Sequence, residues 1–435
     1  MDHGSTAHPQ DLDSPTKKHP PKLGEKRDSL DREARSDSPW KNYKGLCWPL
    51  SGVKKAVSSI KISRFKLQRF GAENVSHGGL RSCFWTVAMG AGGVAVRGRQ
   101  SQTLEGQYER VRLGNLTVCG SHICPVCAPR VAQRRKLEVE QAVKWGQSQG
   151  LVPVMLTLTA SHSKSDRLDS LIGKQRNALR RWKWHRNYKK AKKQIPHIIS
   201  AFEETYGSKG WHPHIHLLLF IRADSLAKAL RLVASLRAAW VAAGLSEGLT
   251  IGRAGFKATT AKTPEAAAKT AGQYLTKSAG QSPAKTWGVA EEMTLTIHKK
   301  ANGDSRTPAD LLADAFGGDS QALGLWQVWV KAVKGRSVLR FSQGLKAAAG
   351  IGEVSDEDAA TVPDEETEVL IDLIEADLWE HAKAVSLDRD RLIRAATFGR
   401  DSLRNYLSAL GCHRRTVSTR SDRQESAQGR DCLGP

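Results

Sequence analysis

Six consecutive residues, Trp211-His212-Pro213-His214-Ile215-His216, place three imidazoles at a strand-like spacing. Side chains at i and i+2 of a β-strand leave the same face of the sheet, so His214 and His216 project together while Ile215 turns into the core. Two imidazoles held this way supply half of a divalent-cation site. Pro213 lacks a backbone donor and fits where a strand begins or lies at an edge, which puts the pair near a sheet end. His212 shares their side if the strand has already begun. A third ligand is expected from Glu203 or Glu204, on the strand that pairs with this one across a turn at 207–210. Adjacent strand residues face opposite ways, so only one of the two acids can take part.

A second constellation is Cys119-Gly120-Ser121-His122-Ile123-Cys124-Pro125-Val126-Cys127. Its Cys-x-x-Cys knuckle has further ligands nearby, and structural Zn²⁺ takes four of them tetrahedrally. Cys124 and Cys127 form the firm pair. Cys119 and Cys83 complete the set, with His122 as substitute. The chain has seven cysteines, an odd number, and no secretory signal is seen at the N-terminus. A reducing cytoplasm and a metal cluster therefore explain the crowding better than a disulfide framework.

These groups need a scaffold, and the hydrophobic pattern supplies one. Residues 154–159 read as a short strand, and 166–193 as a long helix with Leu168, Leu171, Ile172, Leu179 and Trp182 on one face. Residues 198–206 and 214–221 read as a hairpin, the second strand apolar on both faces as in a covered central strand. Asp224 can cap a helix that ends before Gly244, and another helix starts at Thr263-Pro264-Glu265 and runs to about 278. The class is α+β: a central antiparallel sheet flanked by helices, preceded by a small zinc-binding segment. The domain reading is a disordered basic region at 1–75, the zinc segment at 76–150, the sheet core and its extension at 151–350, an acidic linker and small helical region at 351–412, and a disordered tail at 413–435.

The 435 residues carry a formal net charge of +23, with a pI near 9.8. Such an excess favours a polyanionic partner. Nucleic acid fits better than membrane, because the longest apolar stretch, 215–221, is far too short to span a bilayer. Arg130, Arg134 and Arg135 follow the cysteines, and Arg180, Arg181 and Lys183 line the long helix; both runs are candidates for phosphate contacts. Trp326, Trp329, Lys331, Lys334, Arg336 and Arg340 interleave aromatics with charge, as a single-strand platform or as a buried tryptophan pair.

Three stretches together resemble the HUH endonucleases, and within them the plasmid replication initiators of the rolling-circle type. Met155-Leu156-Thr157-Leu158-Thr159 resembles the first motif. Glu203-Glu204-Thr205-Tyr206-Gly207 with Gly210 to His216 resembles the metal-binding second motif. Gln273-Tyr274-Leu275-Thr276-Lys277 resembles the third, and the cysteine region resembles the zinc segment ahead of the core in many such initiators. The resemblance implies that Tyr274 is a nucleophile and that Lys277, one turn on, assists it. It implies Mg²⁺ or Mn²⁺ at His214, His216 and Glu203 or His212, and Zn²⁺ at the cysteines. The expected partners are plasmid origin DNA, single-stranded at the nick, and a host helicase. This chain departs from two-tyrosine relatives, and it has Thr270 where some single-tyrosine relatives have a terminating glutamate; Glu265 is more than two turns from Tyr274. A relaxase or transposase of the same class, and a non-enzymatic zinc-containing regulator, are the alternative readings.

Overall fold

In the computed structural model, which describes residues 47–49, 61–259, 289–294, 305–361 and 367–412, the described strands are β1 (Cys47–Pro49), β2 (Lys61–Ser63), β3 (Gly93–Gln100), β4 (Tyr108–Gly114), β5 (Leu151–Leu158), β6 (His197–Gly207), β7 (Gly210–Arg222), β8 (Phe256–Thr259), β9 (Leu339–Phe341) and β10 (Glu368–Glu375). They form a two-stranded ladder, a three-stranded sheet in the order β10-β3-β4, and a five-stranded sheet in the order β8-β5-β7-β6-β9. All pairings in the five-stranded sheet are antiparallel. The expected α+β class, with an antiparallel sheet flanked by helices, is what the chain adopts.

Strand β7 lies between β5 and β6, so its run Leu217–Ile221 is covered on both faces and every side chain in it is buried. On one face, Leu156, Leu158, Ile215, Leu217 and Leu219 pack against the apolar stripe of the helix Leu168–Trp184 and against Val233, Leu236 and Trp240 from the segment 226–245. Buried indoles need acceptors; Trp182 donates to the Leu236 carbonyl and Trp240 to that of Gly255, each at 3.1 Å. On the other face, Ile199, Ala201, Leu218 and Phe220 pack against Val139 and Ala142 of the helix Cys127–Ser148 and against Met293. A Cβ on Gly146 would lie 2.5 Å from the Phe220 ring, so this glycine lets the helix settle on the sheet. The cysteine-bearing helix thus covers one end of this face, and the histidines occupy the other.

Three expected boundaries shift for local reasons. The helix expected over 166–193 breaks at His185, whose backbone is extended (ψ 142) and whose imidazole accepts from the Asn187 N–H, capping a second helix, Arg186–Ala191. Ser225, not Asp224, caps the helix Leu226–Ser235; Asp224 pairs with Lys228 instead. The expected helix over 224–243 is also two helices, parted at Leu236.

The largest difference lies after residue 350. Where an acidic linker and a separate helical region were expected, the helix Asp356–Ala360 packs on the cysteine-bearing helix, and β10 joins β3 as a sheet edge. Ile371 and Ile374 are buried there, and Arg112 donates to Glu368 at 2.7 Å. Arg389, at the start of the helix Arg389–Ala396, is buried against the earlier segment. It donates to Gln68 Oε1 and to the carbonyls of Phe84 and Phe65. The cysteine-bearing segment and the C-terminal region therefore pack together and share the sheet β10-β3-β4. The region expected to be disordered at 1–75 is described only at 47–49 and 61–75, where the helix Arg64–Asn74 buries Phe65 and Leu67 and so departs from that expectation; the tail at 413–435 and the helix over 263–278 with Glu265, Thr270, Tyr274 and Lys277 lie outside the described residues.

Candidate metal centres

The hairpin register puts Glu203 opposite His214, Thr205 opposite His212 and Ala201 opposite His216, while β5 puts Thr157 opposite His216 from the other side. Directly paired residues share a face, so Glu203, His212, His214, His216 and Thr157 all project together. Glu204 projects to the opposite face, where the Trp329 indole donates to its carboxylate at 3.3 Å. The sheet thus chooses between the two acids. Burial raises the Glu204 carboxyl to about 7, with the neighbouring Glu203 charge adding to the effect.

His216 and Glu203 are 3% and 4% exposed, and His216 Nε2 stands 3.0 Å from Glu203 Oε2. The carboxylate only accepts, so Nε2–H is the donor, and the bare Nδ1 accepts from the Thr157 hydroxyl at 3.2 Å. His214 stacks nearly parallel to His216, ring centroids 6.0 Å apart, and His212 lies 4.0 Å from His214.

A fourth imidazole, absent from the sequence reading, completes the row: His162 stacks on His212 at 4.4 Å. Its Nδ1–H donates to the Ala160 carbonyl at 3.3 Å, which leaves Nε2 as the lone-pair nitrogen, the tautomer a metal ligand needs. Burial, and His162 when it is protonated, lower His212 to about 4, keeping that ring neutral near pH 7. The loop carrying His162 is held by the hairpin turn. Gly210 has φ +91, and a Cβ there would meet Lys164 Cα and Ser163 O at 2.9 Å. The signal in the sequence was a histidine three residues beyond the end of the first motif strand, and a lone histidine in a loop carries little weight.

The cysteine set is Cys83, Cys119, Cys124 and Cys127, whose sulphurs all lie within 4.8 Å of one another. Closest pairs are Cys83–Cys127 at 3.2 Å, Cys119–Cys127 at 3.6 Å and Cys83–Cys124 at 3.8 Å. Four thiolates around Zn²⁺ at about 2.3 Å stand roughly 3.8 Å apart, whereas a disulfide needs about 2.05 Å. The cluster fits a tetrahedral metal ion. The thiols of Cys119, Cys124 and Cys83 pull Cys127 down, while burial pushes Cys124 up. His122 is not part of the set; its ring stands edge-on to Trp329.

The arginines after the cysteines divide by environment. Arg130 lies over the Phe84 ring at 4.4 Å and donates to the Ala360 carbonyl; burial lowers it. Arg135 is held by Glu138 and Asp356. Both guanidiniums are committed within the protein, and Arg134 is half-buried beside them. Arg180 is exposed, and Arg181 is exposed and paired with Glu247. Lys183 is half-buried and lowered by burial and by Arg340. Trp326 and Trp329 are each 1% exposed, so the tryptophans are core and not a stacking platform.

Residues 110–237 match the family model described as replication protein. That segment holds the histidine hairpin and three of the four cysteines. The chain is similar to Protein rep of Bacillus amyloliquefaciens, 30% identical over 125 residues that make up 27% of this chain and 35% of that one. It is similar to Protein rep of Streptomyces lividans, 27% identical over 291 residues, 53% of this chain and 62% of that one. A Protein rep from a Bacillus species is 30% identical over 125 residues, 39% of its length. The chain therefore spans from about a third to just under two thirds of these relatives. No solved structure matches it. The likeness to replication proteins read from the motifs holds in these comparisons. Among the described residues no helix is long and apolar enough to cross a membrane.

Proposed function

We propose that the protein is a plasmid rolling-circle replication initiator with an HUH-type core, acting in the cytoplasm on origin DNA with a host helicase. The observation that carries this reading is the buried His216–Glu203 pair at 3.0 Å, with His214 across the ladder from Glu203. Two neighbouring ligands of an octahedral ion with bonds of about 2.1 Å stand about 3 Å apart, so the His216–Glu203 pair has the spacing of two ligands of Mg²⁺ or Mn²⁺. His214, His216 and Glu203 would hold the ion, with His212 and His162 at the outer end of the row. When bound, it supplies Lewis acidity at the scissile phosphate. Thr157 supports either state of His216, because its hydroxyl can donate to Nδ1 or accept from Nδ1–H. Zn²⁺ at the four cysteines would be structural.

Tyr274 would attack phosphorus, forming the tyrosyl–phosphate ester as the bond to the 3′-oxygen breaks; the phenol proton ends on that oxygen, leaving a 3′-hydroxyl primer. Lys277 would lower the tyrosine pKa or hold the phosphate. Support for Tyr274 comes from the chain on either side of it. Thr259 pairs with Met155 on the histidine face, and Met293 packs on the same face with Ala201. Arg180, Arg181 and Lys183 would hold backbone phosphates of the duplex.

Incubation with Mn²⁺ and labelled single-stranded origin DNA should give a protein–DNA adduct on a denaturing gel. It should vanish without metal and in Tyr274→Phe. An adduct that survives the substitution would remove Tyr274 from the mechanism; no adduct from either protein, with DNA binding intact, would favour the regulator.

A further inference from the structure

His122 sits between Cys119 and Cys124 yet outside the four-sulphur cluster, and neither metal centre uses it. Its imidazole is part-buried, and its Nε2, itself shut off from solvent, finds no hydrogen-bond partner among the described residues. A buried polar atom left unpaired is costly, so its persistence calls for an explanation in a ligand or a water. His122 lines a cleft of about 640 Å³ between the cysteine-bearing helix and β9.

The rest of the cleft describes what would fill it. Its walls are apolar at Val131, Met293, Leu339 and Phe341. Two of its cations are already neutralised: Arg135 by Glu138 and Asp356, Lys346 by Glu138 and Glu353. Such a cleft has little call for a phosphate. It suits a flat, mostly neutral group with hydrogen-bonding edges, and the volume is within the range of small-molecule sites. Arg336, also in the wall, adds a planar donor fork.

The position ties the cleft to the histidines. Leu339 pairs with Ala201, which in turn pairs with His216. The cleft therefore opens on the histidine face, two strands from His216, roughly 10 Å at the usual strand spacing. One or two nucleotides of extended single strand span that distance.

We propose that this cleft takes one unstacked base of the single strand whose phosphate lies at the histidine site, with His122 and Arg336 reading its edge. The inference rests on the endonuclease reading for what lies at His216. The occupant is an unpaired nucleotide; a bridging water at His122 is the competing outcome.

The test uses the full-length protein and four fluorescein-labelled single-stranded 12-mers, dA12, dC12, dG12 and dT12, with binding read by anisotropy. Ala347 lines the cleft and is exposed, so Ala347→Trp fills it from outside without disturbing the core. The wild type should separate its best from its worst 12-mer by about tenfold or more, and Ala347→Trp should weaken the best by about tenfold. His122→Ala should compress the discrimination and leave the weakest 12-mer unchanged. Circular dichroism and zinc content check that both variants fold. Unchanged affinities and discrimination in both folded variants would overturn the inference and leave His122 to a water. Adduct formation by Tyr274 is scored separately. Adduct without cleft effects sinks this inference alone; cleft effects without adduct sink the endonuclease reading and keep the single-strand site.

Discussion

The two candidate metal centres are built in opposite ways. Four cysteine sulphurs, brought from two separated stretches of chain, converge on one point and are flanked by Arg130, Phe84 and the C-terminal layer. The histidine row comes from one strand and its neighbours, buried at the His216–Glu203 end and half-exposed at His212 and His162. A closed sulphur tetrahedron is the form of a structural ion, and a site open at one end is the form of a centre that must admit substrate. The contrast implies that damage to the first is read in folding and damage to the second in chemistry.

The largest expected effect tests the first half of that contrast. Cys127→Ser removes one of the four sulphurs, at the start of the helix that packs on the five-stranded sheet. Structural zinc binding is worth about 10–16 kcal/mol in small domains and is coupled to folding. Native mass spectrometry should show the loss of one zinc, and the cooperative thermal transition should broaden or disappear. A variant that keeps its transition and its DNA binding would show that the cluster does not hold the fold.

Next in size is the chemical half. His216→Ala should lower metal-dependent nicking by about a hundredfold or more, by analogy with removing a group that stabilises transition-state charge. Its stability loss should stay near 1–3 kcal/mol, the cost of leaving the buried Glu203 carboxylate without its donor. His162→Ala should act more weakly, raising the Mn²⁺ needed for half-maximal nicking by about tenfold, as outer ligands and their supports do. If His216→Ala unfolds the protein, or if His162→Ala equals it in effect, the division between a closed structural centre and an open catalytic one fails.

How much of this was legible in the sequence depended on whether a signal was local. The facing of His214, His216 and the hairpin glutamates follows from the period of a strand, and the strand choice between Glu203 and Glu204 needed only the register across the turn. The Cys124–Cys127 knuckle was equally local. Cys83 was placed by count and chemistry, and it does join the cluster. By contrast, β10 fell almost wholly in the stretch read as a small helical region, because its partner β3 lies over 260 residues away and a register shift at Leu370/Asp372 breaks the alternation of its buried residues. His162 was missed for the same reason: it lies in a loop, and its stacking partner, His212, comes from a strand some fifty residues on. Trp326 and Trp329 show the reverse error risk, since aromatics beside cations look like a platform until tertiary packing buries them.

The smallest effect separates the two adjacent glutamates. Glu203 faces the histidines, whereas Glu204 faces Trp329, and burial raises its carboxyl from an ordinary 4.5 to about 7. A raised acid pKa means the folded chain binds more protons than the unfolded chain between about 4.5 and about 7. Its contribution to stability is therefore greatest at low pH and declines as pH rises through that window, remaining low and flat above it. Glutamine keeps an acceptor for the Trp329 indole and removes the titration. Glu204→Gln should accordingly stabilise the protein above pH 7 by something on the order of 1 kcal/mol, since the carboxylate is only part-buried, and should do little at pH 5. Nicking by this variant should be unchanged, because the side chain lies on the far face of the sheet from the metal ligands. Thermal unfolding at pH 5 and pH 8 checks the first expectation, and the adduct assay checks the second. A loss of nicking in Glu204→Gln equal to that in Glu203→Gln would mean that the strand does not segregate the two acids, and the assignment of the metal-binding face would have to be reversed.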